Sequence, residues 1–178
     1  VYGGGIENLE DAKKVIASGA DRILIETLIN RNLNEFIKIS NIIGSQSIII
    51  SLPIKSDEKK NLLFFDSISK KVVKISKNMM EVINNKLVSE ILLIDYINEG
   101  YLDQFNLNIL NLIKKFEVPV ICFGGISNKN LIKKIVKNKN VNAVAIGNSL
   151  NYKEISIQNL KKNLFLSGFR KPIFIHKI

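Results

Sequence analysis

Gly124-Gly125-Ile126-Ser127-Asn128 follows the apolar run Val118–Phe123 and opens a basic amphipathic stretch; 120 residues earlier, Gly4-Gly5-Ile6-Glu7-Asn8 occupies the same setting. The likeness continues downstream. Lys13-Lys14, Val15-Ile16 and Ile23-Leu24-Ile25 answer to Lys133-Lys134, Ile135-Val136 and Val144-Ala145-Ile146. A repeat of whole strand–helix units points to a closed, symmetric α/β architecture more than to an open sheet. The glycines also fail the dinucleotide-binding pattern, because Asn8 stands where its last glycine belongs. A (β/α)8 barrel is therefore expected over a Rossmann sheet.

Outward from these corners, short apolar runs alternate with amphipathic stretches. The runs Arg22–Glu26, Ser47–Leu52, Glu90–Asp95, Val118–Phe123 and Ala143–Ile146 are rich in Ile, Val and Leu, as strands buried on both faces should be. Helical patterns cover about 7–18, 32–43, 77–86, 106–116, 128–138 and 156–164. This alternation predicts a parallel sheet with helices outside it. Residues 55–76 break the rhythm and read as a hairpin insertion in a single partial barrel domain spanning 1–178. Val1 leads straight into the first glycines, which reads as a chain missing its natural start.

The 178 residues are 46% hydrophobic with a mean hydropathy of +0.13, which excludes disorder and suits a buried apolar interior. No run approaches a membrane span, so no membrane association is expected. One cysteine excludes a disulfide scaffold and a thiolate-ligated metal and fits a cytoplasmic setting. The single histidine, His176, excludes histidine clusters; no metal and no cofactor are expected. The net charge of +10 invites a nucleic-acid partner, but the lysines are scattered over helix faces and lack interleaved aromatics. No nucleic acid is expected; anionic small molecules fit the charge.

In both glycine copies an extended run ends and a helix begins. Glycine permits the sharp turn and close approach of a ligand to main-chain N–H groups, and a helix start adds unpaired donors. Gly147-Asn148-Ser149, after the next strand, extends the second corner in the manner of late barrel loops that share one phosphate. Tight turns alone would also explain glycine, but a repeated pair shifts the balance to phosphate. Two such corners suit an elongated substrate with a phosphate at each end.

Tyr2-Gly3-Gly4-Gly5-Ile6, Gly19-Ala20-Asp21, Gly44-Ser45-Gln46-Ser47, Glu90-Ile91-Leu92-Leu93, Pro119-Val120-Ile121 with Gly124-Gly125, and Ala143-Val144 with Gly147 occur in order. Together they resemble the cyclase subunit of imidazole glycerol phosphate synthase and its paralogues. Aligned on that family, the sequence starts at the end of the third strand, lacking about the first two strand–helix units. The resemblance implies a phosphate-binding (β/α)8 barrel, a lyase of histidine biosynthesis, which takes ammonia from a partner glutaminase through the barrel core. One phosphate of a bisphosphorylated substrate would sit on Gly4, Gly5 and Thr27, the other on Gly124, Gly125, Gly147 and Asn148. Arg22 and Glu90 fall at the charged gate, and Asp21 and Gln46 on the surface facing the glutaminase. An ordinary salt bridge across the barrel floor explains Arg22 and Glu90 equally well.

The acid–base positions depart from the family. One catalytic aspartate would precede the sequence, and Pro53 stands at the second; proline can neither take nor give a proton. Glu99 and Asn106 replace two further aspartates, Asp95 is a further carboxylate at a strand end, and Glu26 replaces an asparagine beside a phosphate. Glu99 and Asp95 are the remaining catalytic candidates. The expectation is a cyclase-like barrel of impaired activity. The alternative is a non-catalytic or paralogous subunit relaying ammonia for amidination of a surface-polysaccharide sugar.

Overall fold

The computed structural model describes residues 1–152, 156–164 and 168–174; His176 lies outside them. In chain order the strands are β1 (Tyr2–Gly3), β2 (Ile23–Ile25), β3 (Ile48–Ser56), β4 (Leu62–Asp66), β5 (Lys71–Lys74), β6 (Glu90–Asp95), β7 (Val120–Phe123) and β8 (Val141–Val144). The helices are α1 (Leu9–Ala17), α2 (Leu28–Arg31), α3 (Leu33–Ile43), α4 (Lys77–Asn84), α5 (Asn108–Leu112), α6 (Lys129–Ile135) and α7 (Ser156–Leu164). Six strands run parallel in the order β1-β2-β3-β6-β7-β8, and β4 and β5 hang from β3 as an antiparallel hairpin. Parallel strands alternating with helices give the chain a (β/α)8-barrel architecture, of which it supplies six strands in the parallel path.

Polar side chains start the helices just after strands or turns. Asn8, Asn32 and Ser76 accept from the N–H three residues on, at 3.0, 3.1 and 3.1 Å. Asn128 accepts from both Asn130 and Leu131. Each side-chain oxygen satisfies a donor that the first helical turn leaves open.

Strand register sorts the side chains onto two faces. Ile25, Ile50 and Ile91 lie level, as do Leu52 and Leu93 with Cys122, and all are buried against the helices. The alternate residues Leu24 and Ile49 with Glu90, then Ser51 with Leu92, then Pro53 with Ile94 and Phe123, face the barrel interior. Glu26, two residues after Leu24, shares that inner face. The helix-side core is completed by Ala12, Phe36, Ile39, Val82, Ile83 and Ile135, all fully buried.

Four elements differ from the sequence-based expectation. α2 is an additional short helix. β8 sits two residues earlier than expected, because Asn140 fastens the start of that strand. Its side chain donates to the carbonyls of Ile113 and Phe116, its carbonyl accepts from the N–H of Val120, and a bulge follows at Val120/Ile121. α5 is confined to Asn108–Leu112, since Asn106 is drawn away to Asp95 and Ser56. β3 runs on to Ser56 because β4 pairs with its end at Ile54, Lys55 and Ser56.

Proline inside β3 is accommodated by the ladder. The carbonyls of Ile48 and Ile54 accept from Ser89 and Tyr96 on the β6 side. Backbone groups alternate along a strand, so Pro53 turns its nitrogen to the other side, between the end of β2 at Ile50 and the first β4 rung at Ile54.

Candidate functional site

The parallel direction of the strands separates two rims. Asp21 and Arg22 precede β2, Gln46 precedes β3 and Glu90 opens β6, so all four lie at the N-terminal rim. Arg22 Nη1 donates to Glu90 Oε2 across the intervening β3, with Glu90 only 18% exposed. Asp21 and Gln46 are exposed beside them.

The glycine corners lie at the opposite rim. Gly4 and Gly5 follow β1, and Gly124 and Gly125 follow β7, all with positive φ of 105°, 69°, 98° and 65°. Among the described residues, the N–H groups of Gly5, Gly124, Gly125 and Gly147 donate no hydrogen bond within the protein, whereas the Gly3–Leu24 pairing turns that of Gly4 towards the Leu24 carbonyl. The corners therefore offer donors to something outside the chain. They sit at the two far ends of the strand path, after β1 and after β7 and β8.

The two corners differ in build. Gly124, Gly125, Gly147 and Asn148 line one cavity of about 130 Å³, with Glu99 and Tyr101 at its edge. Gly124 and Gly125 are buried: a Cβ on Gly124 would stand 2.6 Å from the carbonyl oxygen of Asp95, and one on Gly125 2.9 Å from that of Asn98. The loop after β6 is tied to this corner by Phe105 N–H donating to Gly125 O and by Asn148 Nδ2 donating to Gly100 O, at 3.2 and 3.1 Å. Gly4, Gly5 and Thr27 line the other cavity, about 280 Å³, which also takes in Glu26, Ser51 and Ser67 from the hairpin turn. Gly4 and Gly5 are exposed, and a Cβ on either would meet no atom within 4 Å.

The two catalytic candidates fall in different places. Glu99 is exposed and borders the Gly124 cavity. Asp95 shares the helix-side face with Ile91 and Leu93 and is 1% exposed. Its carboxylate accepts from Asn98 Nδ2 and from the N–H of Asn106, both at 2.8 Å, so it clasps the loop rather than facing the interior. Pro53 does face the interior, between Ser51 and Lys55 on β3. Among the described residues, no group of three or more His, Cys, Asp and Glu is placed to hold a metal ion, and no helix is long and apolar enough to cross a membrane.

Ser51 went unassigned in the sequence. Its hydroxyl donates to Glu26 Oε2 at 2.9 Å, while the residue itself is 3% exposed. The signal was a hydroxyl inside the otherwise apolar run Ile48–Leu52, in phase with the inner face. Ser67 carried no signal, because only the hairpin's fold brings it to the cavity.

Residues 1–156 match the family model described as histidine biosynthesis protein. The chain belongs to that family. As a family member it is similar to the imidazole glycerol phosphate synthase subunit HisF of Methanococcus vannielii, 26% identical, with 91% of this chain and 68% of that protein covered. The HisF subunit of Buchnera aphidicola subsp. Acyrthosiphon pisum is 28% identical over 93% of this chain and 67% of its own length. That of Leptospira biflexa is 25% identical, with 94% and 67% covered. The chain is thus a HisF-like, cyclase-type barrel of histidine biosynthesis, spanning about two thirds of the length of these relatives.

Proposed function

We propose that the chain works as the ammonia-receiving half of a glutaminase pair and binds a phosphorylated small molecule, in a cytoplasmic setting. The glutaminase docks at the N-terminal rim around Asp21 and Gln46, and the Arg22–Glu90 pair controls entry to the interior. The substrate phosphate rests on Gly124, Gly125, Gly147 and Asn148 at the opposite rim. The observation that carries this reading is the set of unused N–H groups at positive-φ glycines, facing a cavity on the far side of the sheet from a charged pair. Backbone donors fixed before binding recognise an oxyanion without reorganisation.

Ring closure by this copy is weak. Pro53 holds an inner-face position that would suit a carboxylate, and Asp95 is committed to its loop, which leaves Glu99 as the carboxylate at the Gly124 cavity. A second reading, a docking subunit that passes ammonia to another enzyme, draws on the same absence of an inward carboxylate at Pro53. The experiment supplies the bisphosphorylated substrate of the cyclase family with ammonium, and separately a HisH-type glutaminase with glutamine. Stimulated glutamine hydrolysis with ring formation far below that of a HisF subunit is expected. Full ring formation would overturn the impaired activity, and no effect on the glutaminase would overturn the pairing.

A further inference from the structure

Three loops, those after β6, β7 and β8, build the Gly124 cavity. The loops after β7 and β8 bring the unused N–H groups of Gly124, Gly125 and Gly147. The loop after β6 brings Glu99, Gly100, Tyr101 and Leu102. Its backbone is held on both sides of Tyr101. Asn148 Nδ2 donates at 3.1 Å to the carbonyl of the peptide bond that joins Gly100 to Tyr101, and Tyr101 N–H donates at 3.1 Å to Asn98 O. The side chain on this fixed backbone is free. Tyr101 is 61% exposed, and among the described residues its phenol makes no hydrogen bond or ring contact. Its neighbours at the cavity suit an oxyanion less well: Glu99 carries the same sign of charge, and Leu102 has no donor. Ser149 offers a second hydroxyl, but from the same wall as Gly147. Tyrosine combines a donor with an apolar ring, and the exposed ring, with Leu102 beside it, is surface that an occupant of the cavity would take out of water.

We infer that Tyr101 is a phosphate ligand of this cavity: its hydroxyl donates to a phosphoryl oxygen held by the glycine N–H groups, and its ring covers the mouth. This rests on the phosphate reading of the Gly124 corner. The backbone donors of the β7 and β8 loops hold the anion from below, and the phenol closes on it from the β6 loop. Hydroxyl and ring then make separate contributions. A neutral hydrogen bond that replaces one to water adds a small factor in affinity, and the ring adds the exclusion of solvent from the charged group.

The test titrates inorganic phosphate into the whole chain and follows, by NMR, the amide resonances of Gly124 and Gly125 and the ring resonances of Tyr101. All three residues are expected to shift with one affinity. Tyr101→Phe should weaken that affinity about three- to tenfold, and Tyr101→Ala should weaken it further. The urea midpoints of both variants should match that of the unmodified chain, because the phenol holds nothing in the protein together. Shifts at Gly124 and Gly125 with the Tyr101 ring unmoved would overturn the inference and spare the phosphate reading. An affinity unchanged in Tyr101→Phe and Tyr101→Ala would do the same. A lowered urea midpoint in Tyr101→Phe would give the hydroxyl a structural task and also overturn the inference. Silence at Gly124 and Gly125 in every protein would overturn both.

Discussion

Arg22 and Glu90 are joined by a salt bridge that spans β3 without involving it, from the residue before β2 to the first residue of β6. With Arg22 41% exposed, solvent screens the pair, so Arg22→Ala or Glu90→Gln is expected to cost about 1 kcal/mol in urea unfolding. The double variant should cost little more than either single one, because the same contact is lost only once. If the pair controls ammonia entry, both variants change the glutamine-dependent rate of the paired enzyme and leave the ammonium-dependent rate alone. Equal changes in both rates would reduce the pair to a structural brace.

The glycine corners differ in what a methyl group would meet. Gly124→Ala places Cβ against the Asp95 carbonyl at φ 98°, combining backbone strain with a clash that backbone must absorb. Gly4→Ala carries the φ strain with open space around it. Losses of roughly 2–4 kcal/mol for Gly124→Ala and about 1 kcal/mol for Gly4→Ala are expected from the denaturant midpoints. A reversed order would contradict the placement of the loop after β6.

Asp95 gives a clean division between a structural and a chemical role. Asp95→Ala leaves the N–H of Asn106 and the amide of Asn98 without their acceptor in a buried place, at an expected cost of about 2–4 kcal/mol. Protease cleavage within residues 97–105 should accelerate in the same variant. Unchanged stability would mean that the carboxylate is free for other work.

Burial pushes the Cys122 thiol up to about 12. In the unfolded chain it titrates near 9, so between those values the folded form holds a proton that the unfolded form has released. This contribution to stability is complete below about pH 9 and is lost as pH rises towards 12. Cys122→Ala, or Cys122→Ser with its own burial cost, should flatten the decline in that window. The native thiol should also resist a disulfide reagent at pH 8 and react on unfolding.

The parallel strands and helix positions were legible because each carries its own signal: Ile-rich runs, and amphipathic stretches of helical period between them. The limits of β8 and α5 were not, because Asn140 and Asp95 set them through contacts distant in sequence. The repeat exposed both glycine corners, yet it also made them look alike. Their difference lies in Glu26 and Ser51, 25 residues apart, which only strand register brings side by side. The tilt of Asp95 away from the interior was likewise hidden, since strand parity has to be anchored to known neighbours before a face can be assigned.

Pro53 turns its ring nitrogen to the side of β3 where β2 stops at Ile50 and β4 takes over at Ile54. Exchanging it for aspartate would add a donor beside the end of the β4 pairing and place a carboxylate on the inner face, above Ser51. A single replacement is thus enough to ask whether a carboxylate at this inner-face position changes ring formation.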